Sequence, residues 1–456
     1  MSRTIAAIST AQGAGGIAII RVSGDEAVKI ADRVYSGKKP LSQAKTHTVH
    51  YGHIVDRDGG VIDEVLVTVM LAPNSFTRED VVEIGSHGGS IVSKKVLDAL
   101  IHAGAYMAEP GEFTKRAFLN GRIDLSQAEA VIDIINAGND IARRNAVSQL
   151  DGALSKEIGG VRAELVRLAA QMQVIIDYPD EDLEDVSGED ILNIVKECGE
   201  RTKALLDTAD SGRIVKEGIR TAIAGKPNVG KSSLLNSLAR EDRAIVTDIA
   251  GTTRDTIEES VNLDGIPLIL TDTAGIRETD DTVEKIGVER SRRSIASADL
   301  VIVVLDGSNI PDDEDMRVLH ETADKQRIIL INKTDLGTSK YAESIRAKAG
   351  KSAVFEVSAK TGEGLDNLRR EIKRLYNISG LTDANGTVIT NMRHKTALIH
   401  ANEALERAKD ALISGMPTDI ASIDINEAID SLGEITGETV SDSVVSEIFH
   451  NFCVGK

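Results

Sequence analysis

Short apolar runs alternate with polar and glycine-rich turns along the first part of the chain. Ile17–Val22 and Val61–Leu71 are rich in β-branched residues, and Val81–Ile84 is a third run of the same kind. Ser90–His102 then changes to the three- and four-residue spacing of an amphipathic helix. Strands and helices in this arrangement predict an α+β domain over residues 1–118.

A helical pattern begins at Leu125 and continues to residue 212. Prolines are few, and apolar side chains recur at every third or fourth position. The clearest series is Val161, Leu165, Leu168, Met172 and Ile175. Helical spacing returns between Arg393 and Phe449, so both stretches are predicted to form long amphipathic helices.

Two acidic segments interrupt or accompany these helices. Asp177–Asp190 contains eight acidic residues and no Lys or Arg, and Thr418–Phe449 again contains eight acidic residues without either base. A solvated loop between helices is the simpler interpretation of the first segment. A cation site is its alternative.

Residues 219–376 alternate apolar runs with helical segments, which is typical of a doubly wound α/β sheet. Two helical halves on either side of such an insert can bury each other's apolar faces, whereas neither could do so alone. We therefore expect one helical domain that an α/β domain interrupts. The predicted bounds are 1–118 for the first domain, 119–214 and 379–456 for the two helical parts, and 215–378 for the insert.

Composition narrows the class of protein. The 456-residue chain has a formal net charge of −19, only 3% aromatic residues and no tryptophan, so an RNA substrate would need a local basic patch or a more basic partner. Its two cysteines, Cys198 and Cys453, lack metal-ligand spacing and favour a reducing cytoplasm over a disulfide framework. The polar N-terminus predicts no signal peptide, and the apolar run Leu300–Leu305 is too short to span a membrane.

A phosphate-binding loop is the first chemical motif. Gly225-Lys-Pro-Asn-Val-Gly-Lys-Ser232 lies between a predicted strand, Ile219–Ala224, and a helix from Ser233, which is the strand–loop–helix context that GxxxxGKS requires. Backbone amides and the helix N-terminus favour phosphate there. Lys231 can reach the β- and γ-phosphates, and the Ser232 hydroxyl can ligate Mg²⁺.

Three further motifs each follow an apolar strand. Asp272-Thr-Ala-Gly275 can hold the water shell of the metal and approach the γ-phosphate, and Ser358-Ala-Lys360 can complete a base pocket. In Asn332-Lys-Thr-Asp335, the carboxylate of Asp335 offers two acceptors to the ring NH and the NH₂ of guanine. Adenine has no such pair of donors, so we predict a GTP hydrolase rather than an ATPase.

The residues predicted to bind GTP form five segments. They are Asn228, Val229, Gly230, Lys231, Ser232 and Ser233; Thr247, Asp248, Ile249, Ala250, Gly251, Thr252 and Thr253; Asp272, Thr273, Ala274 and Gly275; Asn332, Lys333, Thr334 and Asp335; and Ser358, Ala359 and Lys360.

These motifs do not identify the group that assists hydrolysis. Ile276 stands where many GTPases have a water-orienting Gln, and an aliphatic side chain cannot orient water. Asn228 and the carbonyl- and hydroxyl-rich loop 247–255 could bind a monovalent cation near the phosphates. Arg254 could act as an arginine finger instead.

The chain also resembles one family over its whole length. The motifs that carry the resemblance, besides the P-loop and residues 246–255, are Pro73-Asn-Ser-Phe-Thr77, His87-Gly-Gly89, Pro110-Gly-Glu-Phe-Thr-Lys-Arg-Ala-Phe-Leu-Asn120, Asp177-Tyr-Pro179 and Phe452-Cys-Val-Gly-Lys456. They are similar to those of MnmE (TrmE), the tRNA-modification GTPases. The resemblance implies a multidomain α/β fold: an N-terminal α+β domain like tetrahydrofolate-binding domains, an α-helical domain, and an inserted P-loop G domain of the Ras-like, TrmE-Era type.

The same resemblance implies a function and partners. A homodimer, formed through the N-terminal domain, would work with the FAD-dependent protein MnmG (GidA) in a heterotetramer-type complex in the cytoplasm, away from membranes. It would help to add an aminomethyl or carboxymethylaminomethyl group to C5 of the wobble uridine of certain tRNAs. The one-carbon unit would come from 5-formyltetrahydrofolate or a related folate.

Residue roles follow from the resemblance in the same way. It implies folate contacts at Arg21, Glu83, Arg122 and Lys456; K⁺ contacts at Asn228, Thr247, Ile249 and Thr252; and Mg²⁺ contacts at Ser232 and Thr253. Position 122 is often Lys in the family, and Arg keeps the charge but changes the geometry. Glu284 would act with Lys231 in catalysis and supply the water-orienting group, and Cys453 would take part in tRNA modification in an open role.

Two other classes compete with this interpretation. An Era- or Der-like ribosome-assembly GTPase shares the P-loop, although Der-like chains have two G domains and Era-like chains add a KH module, whose GxxG loop we do not find after residue 380. A nucleotide-gated scaffold would need no folate pocket.

The terminal Phe452, Cys453 and Val454 are apolar, so we expect them to be buried against a neighbouring domain.

Overall fold

A computed structural model describes residues 3–11, 13–177, 188–241, 259–263, 265–270, 292–337, 341–377 and 387–455. The chain divides into two compact units. The first unit comprises Met1–Ile132, Gln149–Gln171 and Ile425–Lys456, and the second comprises Asp133–Ser148 and Met172–Asp424. None of the helices in these described ranges is long and apolar enough to cross a membrane.

A mostly antiparallel sheet forms the centre of the first unit. Its strands are β1 (Ile5–Ile8), β2 (Ile17–Ser23), β3 (Tyr35–Gly37), β4 (Thr48–Val55), β5 (Val61–Met70), β6 (Val81–His87) and β7 (Tyr106–Met107). Their order is β3-β4-β5-β6-β2-β1-β7, and only the β1–β7 pair is parallel. The predicted α+β class is confirmed.

Helices α1 (Ala27–Val34) and α2 (Ser90–His102) cover one face of this sheet. Their buried side chains share a core with inward residues of β2, β5 and β6, as the two-residue period of strands requires. Helix α2 has the predicted bounds. Strand β6 continues three residues past its predicted end at Ile84, because Gly85 is paired on both sides, with Ile19 and Leu66.

Long helices make up the predicted helical parts. Helix α3 (Glu112–Leu119) precedes them and lies almost wholly within the predicted bounds of the first domain. The helical parts contain α4 (Leu125–Asn136), α5 (Asp140–Leu150), α6 (Ala153–Asp177), α7 (Gly188–Leu206) and α8 (Ala209–Glu217) before the second sheet, and α13 (Met392–Ile413), α14 (Thr418–Thr436) and α15 (Asp442–His450) after it. In the predicted apolar series, Ile175 is half-buried, and the other four side chains are buried: Val161, Leu165, Leu168 and Met172. In the second unit α7 packs along α13, so helices from both sides of the insert do share an apolar core.

The second unit contains a six-stranded sheet with helices on both faces. Its strands are β8 (Ile219–Ala224), β9 (Glu259–Leu263), β10 (Ile266–Leu270), β11 (Leu300–Asp306), β12 (Arg327–Asn332) and β13 (Ala353–Glu356). The helices are α9 (Lys231–Glu241), α10 (Asp313–Glu321), α11 (Ala342–Lys348) and α12 (Leu365–Leu375). The strand order is β13-β12-β11-β8-β10-β9, parallel except at β9.

Strand β11 shows why this sheet is doubly wound. Ile302 and Val304 lie in the core cluster with α9 and α12, whereas Val301 and Val303 lie in the cluster with α10 and α11. A strand buried on both faces is apolar at every position rather than at alternate ones. This explains the uninterrupted run that the sequence shows here, and it places the carboxyl ends of β8, β11 and β12 side by side.

Candidate nucleotide site

The loop after β8 is shaped by residues with positive φ. Asn228 has φ 64° and Gly230 has φ 101°, the left-handed region that glycine adopts most easily. A Cβ atom at Gly230 would overlap the side-chain amide of Asn332. The loop can therefore approach Asn332 closely only because position 230 is glycine.

Lys231 begins helix α9, two residues earlier than the predicted start. Its ammonium group donates hydrogen bonds to the carbonyl oxygens of Gly225 and Lys226, the latter at 2.9 Å. Burial lowers the pKa of Lys231. Ser232 and Ser233 are exposed, and their hydroxyls form no hydrogen bond within the described ranges. Lys231 is thus fixed at the loop while both hydroxyls are available to a ligand.

Asn332 joins two of the predicted segments. It is 3% exposed, and its amide nitrogen donates to the Val229 carbonyl oxygen at 2.8 Å. Its amide oxygen accepts from the backbone N–H of Ala359 at 2.9 Å. A single buried side chain therefore holds the P-loop and the Ser358–Lys360 segment at the same edge of the sheet.

Asp335 lies at the edge of a cavity of ≈ 640 Å³. The Ser358 hydroxyl donates to its Oδ1 at 2.9 Å, and the Lys360 ammonium lies 4.0 Å from its Oδ2. The cavity is lined by Gly230, Ser233, Asn236, Ser237, Asn332, Lys333, Asp335, Leu336, Ala359, Lys360, Thr361 and Gly362. Residues from the P-loop and from the two base motifs thus meet around one space that is large enough for a small ligand.

Two acidic groups near this edge were missed from the sequence. Asp306 accepts a hydrogen bond from Lys333 at 2.7 Å; although burial opposes the change, hydrogen bonds from Lys333 and Ser308 lower the pKa of Asp306 to about 2. Asp315 is 3% exposed and binds the Lys226 ammonium at 2.8 Å. Asp306 directly follows the apolar run of β11, and Asp315 lies in the first turn of α10. Their positions after this strand were the only signal in the sequence.

Several predicted residues lie outside the described residues. These are Thr247, Asp248, Ile249, Ala250, Gly251, Thr252, Thr253, Arg254, Asp272, Thr273, Ala274, Gly275, Ile276, Glu284 and Lys456. Most of the acidic segment 177–190 also falls there, so the cation-site alternative is not tested. Among the described residues no group of three or more His, Cys, Asp or Glu side chains could hold a metal ion.

Arg21 and Glu83, predicted to contact folate, are brought together by strand register. They lie directly opposite each other on β2 and β6, and Arg21 binds Glu83 Oε1 at 2.8 Å through both Nε and Nη2. The guanidinium carbon of Arg21 also lies 5.6 Å from the ring centre of Phe113 and 5.9 Å from that of Phe76. The second Glu83 oxygen has no partner within the described part of the chain.

Arg122 joins this group from a distant part of the sequence. Its guanidinium carbon lies 4.8 Å from the Phe76 ring centre, and Nη1 donates to the Phe76 carbonyl oxygen at 3.2 Å. Burial lowers the pKa of Arg122, and the nearby charge of Arg78 lowers it further. Arg21 and Arg122 therefore share the ring of Phe76, and three of the four predicted folate residues lie together.

Hydrogen bonds hold Val454 and Gly455, near the end of the chain, against the N-terminal part of the first unit. Val454 forms an antiparallel bridge with Pro110, and the Gly455 carbonyl oxygen accepts from the Ser9 hydroxyl at 2.9 Å and from Arg21 Nη1 at 3.5 Å. Phe452 is buried, 5.3 Å from the ring of Phe449.

The expectation that Cys453 and Val454 are buried was wrong. Both are exposed, whereas Phe452 is buried as predicted. The backbone of this segment is held by its bridge to Pro110, so burial of every side chain is not needed to fix it. Only the phenylalanine meets an aromatic cluster.

Two protein-family models together match most of this chain. The family model of the GTP-binding protein TrmE N-terminus matches residues 4–122, and that of the MnmE helical domain matches residues 125–453. The tRNA modification GTPase MnmE of Listeria welshimeri is 51% identical over 454 residues, 99% of this chain and 99% of the relative. The protein of the same name from Acetivibrio thermocellus is 50% identical over 455 residues, and that from Clostridioides difficile is 48% identical over 455, each covering 99% of both chains.

Proposed function

Because this chain belongs to the family of MnmE tRNA modification GTPases, we propose that it binds GTP in the cavity beside Asp335 and couples its hydrolysis to modification of C5 of the wobble uridine. Family membership makes the chain a GTPase that acts in tRNA modification. The Era- and Der-like alternative is set aside, since the similarity extends over the helical and N-terminal parts as well as the G domain.

The position of Asp335 is the observation that carries the proposal. Its carboxylate borders a cavity that the P-loop also borders, and Ser358 orients one of its oxygens. Guanine presents two donors to such a group, and a triphosphate extending from the base would reach the P-loop amides and Lys231. Asn332 keeps these parts at a fixed separation.

Mg²⁺ and K⁺ are part of the proposal. The Ser232 hydroxyl is exposed at the start of α9 and unbonded within the described ranges, which fits a Mg²⁺ ligand. Asn228 is likewise exposed in the loop and could offer its side-chain oxygen to K⁺. The remaining proposed ligands, Thr247, Ile249 and Thr252 for K⁺ and Thr253 for Mg²⁺, are expectations from the resemblance alone. Faster hydrolysis in K⁺ than in Na⁺ would support the monovalent site, and equal rates would count against it.

Glu284 is the proposed water-orienting residue, because Ile276 cannot do this. The role rests on the resemblance, as both residues lie outside the described ranges. Glu284→Ala should slow hydrolysis while GTP affinity is retained. A strong loss in Arg254→Ala alone would favour the arginine finger over a bound cation.

Folate is the proposed ligand of the cluster of Arg21, Glu83, Arg122 and Phe76, which we call the Arg21 group. Arg21 and Arg122 present two cations beside the ring of Phe76, which suits a ligand that has both aromatic rings and carboxylates. The second oxygen of Glu83, which does not contact Arg21, could accept a hydrogen bond from a pterin N–H. Lys456 directly follows Gly455, which contacts Arg21, and we propose that it adds a further cation. Calorimetry with 5-formyltetrahydrofolate tests this site.

A homodimer through the first unit is also proposed. On the sheet face opposite α1 and α2, the row Tyr51, Leu66 and Ile19 runs across β4 to β2, with Gly85 between the last two. Tyr51 and Leu66 are each 56% exposed, and an apolar row of this kind favours a protein partner. Leu66→Lys should give monomers in light scattering, whereas Ile310→Lys, an exposed residue of the second unit, should not.

The proposed reaction requires a partner and a cellular location. We propose that the FAD-dependent MnmG joins the dimer, that a folate supplies the one-carbon unit, and that the reaction takes place on tRNA in the cytoplasm. Nucleoside analysis of tRNA from cells lacking this chain tests the whole scheme. Normal amounts of C5-modified wobble uridine in those cells would contradict it.

A further inference from the structure

Asp306 is buried at the carboxyl end of β11, next to the segment that carries Asp335. It lies opposite Asn332 in the sheet, and the backbone N–H of Gly307 donates to the Asn332 carbonyl oxygen at 2.8 Å. Its carboxylate accepts hydrogen bonds from the Ser308 backbone at 2.9 Å, the Ser308 hydroxyl, and the Asn309 side chain at 3.1 Å. The carboxylate is therefore held in one orientation before any ligand arrives.

Lys333 completes this arrangement. Its ammonium lies 2.7 Å from Asp306 Oδ2, and its backbone has φ 70°, a conformation that residues with a Cβ rarely adopt. Lys333 also lines the cavity beside Asp335. The other lysine of that cavity, Lys360, is different, because its side chain is 81% exposed and 4.0 Å from its nearest carboxylate.

We propose that Asp306 is a positioning residue for guanine recognition, which anchors the Lys333 ammonium so that the lysine's methylene chain forms a fixed wall of the base cavity. The inference rests on the proposed function, since it takes Asp335 as the group that pairs with the base. With its charge bound to Asp306, Lys333 offers hydrocarbon rather than an ammonium group to a ring that enters the cavity.

The anchoring of Lys333 by Asp306 should affect nucleotide affinity more than the rate of GTP hydrolysis. A free lysine side chain loses much conformational freedom when it is ordered against a ligand. Asp306 imposes that order in the nucleotide-free protein, so the base need not do so. Loss of the anchor should therefore raise the nucleotide dissociation constant and dissociation rate, while the hydrolysis rate at saturating GTP stays close to wild type.

The affinity and the dissociation rate of a fluorescent GDP analogue, measured with the full-length chain, test the effect of this anchor on binding. Asp306→Ala should raise the dissociation constant roughly tenfold, as expected for losing one charged hydrogen bond. Asp306→Asn, which keeps the shape and can still accept from Ser308, covers the case in which the alanine variant fails to fold. The matched control is Asp366→Asn, whose carboxylate is 83% exposed and pairs with Arg369 on α12; it should bind GDP normally.

A double-mutant cycle with Lys333→Met distinguishes positioning from a general structural role. Methionine keeps an apolar chain but has no ammonium for Asp306 to hold. In that background, removing the Asp306 carboxylate should cause no further loss of affinity. An equal loss in both backgrounds, or a fall in the saturated hydrolysis rate, would overturn the inference.

Asp335→Asn in the same assay separates this inference from the function it rests on. If that variant keeps its affinity for GDP, the proposed base site itself is wrong. If it loses affinity while Asp306→Ala does not, the base site stands and the role of Asp306 is refuted.

Discussion

The nucleotide cavity and the Arg21 group differ in how many of their polar side chains already have partners before a ligand binds. At the cavity, Asp335 keeps acceptor capacity, and the hydroxyls of Ser232 and Ser233 have no partner within the described ranges. In the Arg21 group, the guanidinium is already bound to Glu83 and to the chain end at Gly455.

This difference predicts different energetics at the two places. A ligand at the cavity gains contacts with Asp335, Ser232 and Ser233 that the free protein does not have. Lys231, which the free protein bonds only to neutral carbonyl oxygens, gains a charged partner. A ligand at the Arg21 group must share or replace contacts that already exist, so only the difference between them contributes to affinity. Single substitutions should therefore have larger effects at the cavity than at the Arg21 group.

Lys231→Ala provides the largest expected effect and tests the cavity side of the comparison. Its ammonium is the fixed positive charge of the P-loop, and removing it leaves the developing phosphate charge without that partner. GTP hydrolysis should fall on the order of 10²-fold or more, by analogy with removal of a transition-state donor. Lys348→Ala, an exposed lysine at the end of α11, is the control and should keep wild-type rates in a phosphate-release assay. If Lys231→Ala lowered the rate of GTP hydrolysis less than threefold, substitutions at the cavity would not have the larger effects that we predict.

Asp335→Asn comes next and changes specificity rather than total binding. The amide offers a donor where guanine has an NH₂ group, whereas xanthine has a carbonyl oxygen that accepts from it. A buried mismatch of this kind costs about 1–3 kcal/mol, so GTP should bind roughly tenfold to 100-fold more weakly. Competition between GTP and xanthosine triphosphate measures the switch. Undiminished hydrolysis of GTP by this variant would refute the assignment of the base motif.

The same contrast explains what the sequence could predict. The P-loop and the Asn332–Asp335 motif are each continuous in sequence and follow a buried strand, so parallel pairing brings them to one edge. Asp306 belongs to this edge, but nothing local distinguishes it from any acid after a strand. Its role appears only when its distance to Lys333 is known.

The Arg21 group could not be assembled from local patterns. Arg21 and Glu83 face each other because of the register of β2 and β6, and Arg122 reaches Phe76 across 46 positions of sequence. Periodicity predicts that Arg21 points away from the core but does not identify its neighbours. The resemblance to a family supplied these residues, and it did not reveal that Arg21 and Glu83 bind each other.

Deletion of Cys453–Lys456 tests the Arg21 group directly. It removes the Gly455 contacts to Ser9 and Arg21 and the proposed cation of Lys456, while Phe452 remains to fill its aromatic cluster. Affinity for 5-formyltetrahydrofolate should fall about tenfold, as for one lost charged contact, with basal GTP hydrolysis nearly unchanged. Calorimetry on the full-length and shortened chains measures the first quantity. Equal folate affinity would show that the chain end is not part of the site, and tRNA modification by the shortened chain would contradict a role for Cys453.

The smallest effect concerns pH and the anchored carboxylate of Asp306. Its pKa in the folded protein is about 2, because hydrogen bonds from Lys333 and Ser308 outweigh the opposing effect of burial. An unfolded Asp has a pKa of about 3.9, so the group's contribution to the free energy of unfolding is complete above that value. It is lost as the pH falls toward 2. The difference in melting temperature between wild type and Asp306→Asn should therefore stay constant from pH 8 to pH 5 and shrink only in stronger acid, with other carboxylates cancelling between the two proteins. A difference that already shrinks between pH 7 and pH 5 would mean that Asp306 is not held as the structure shows.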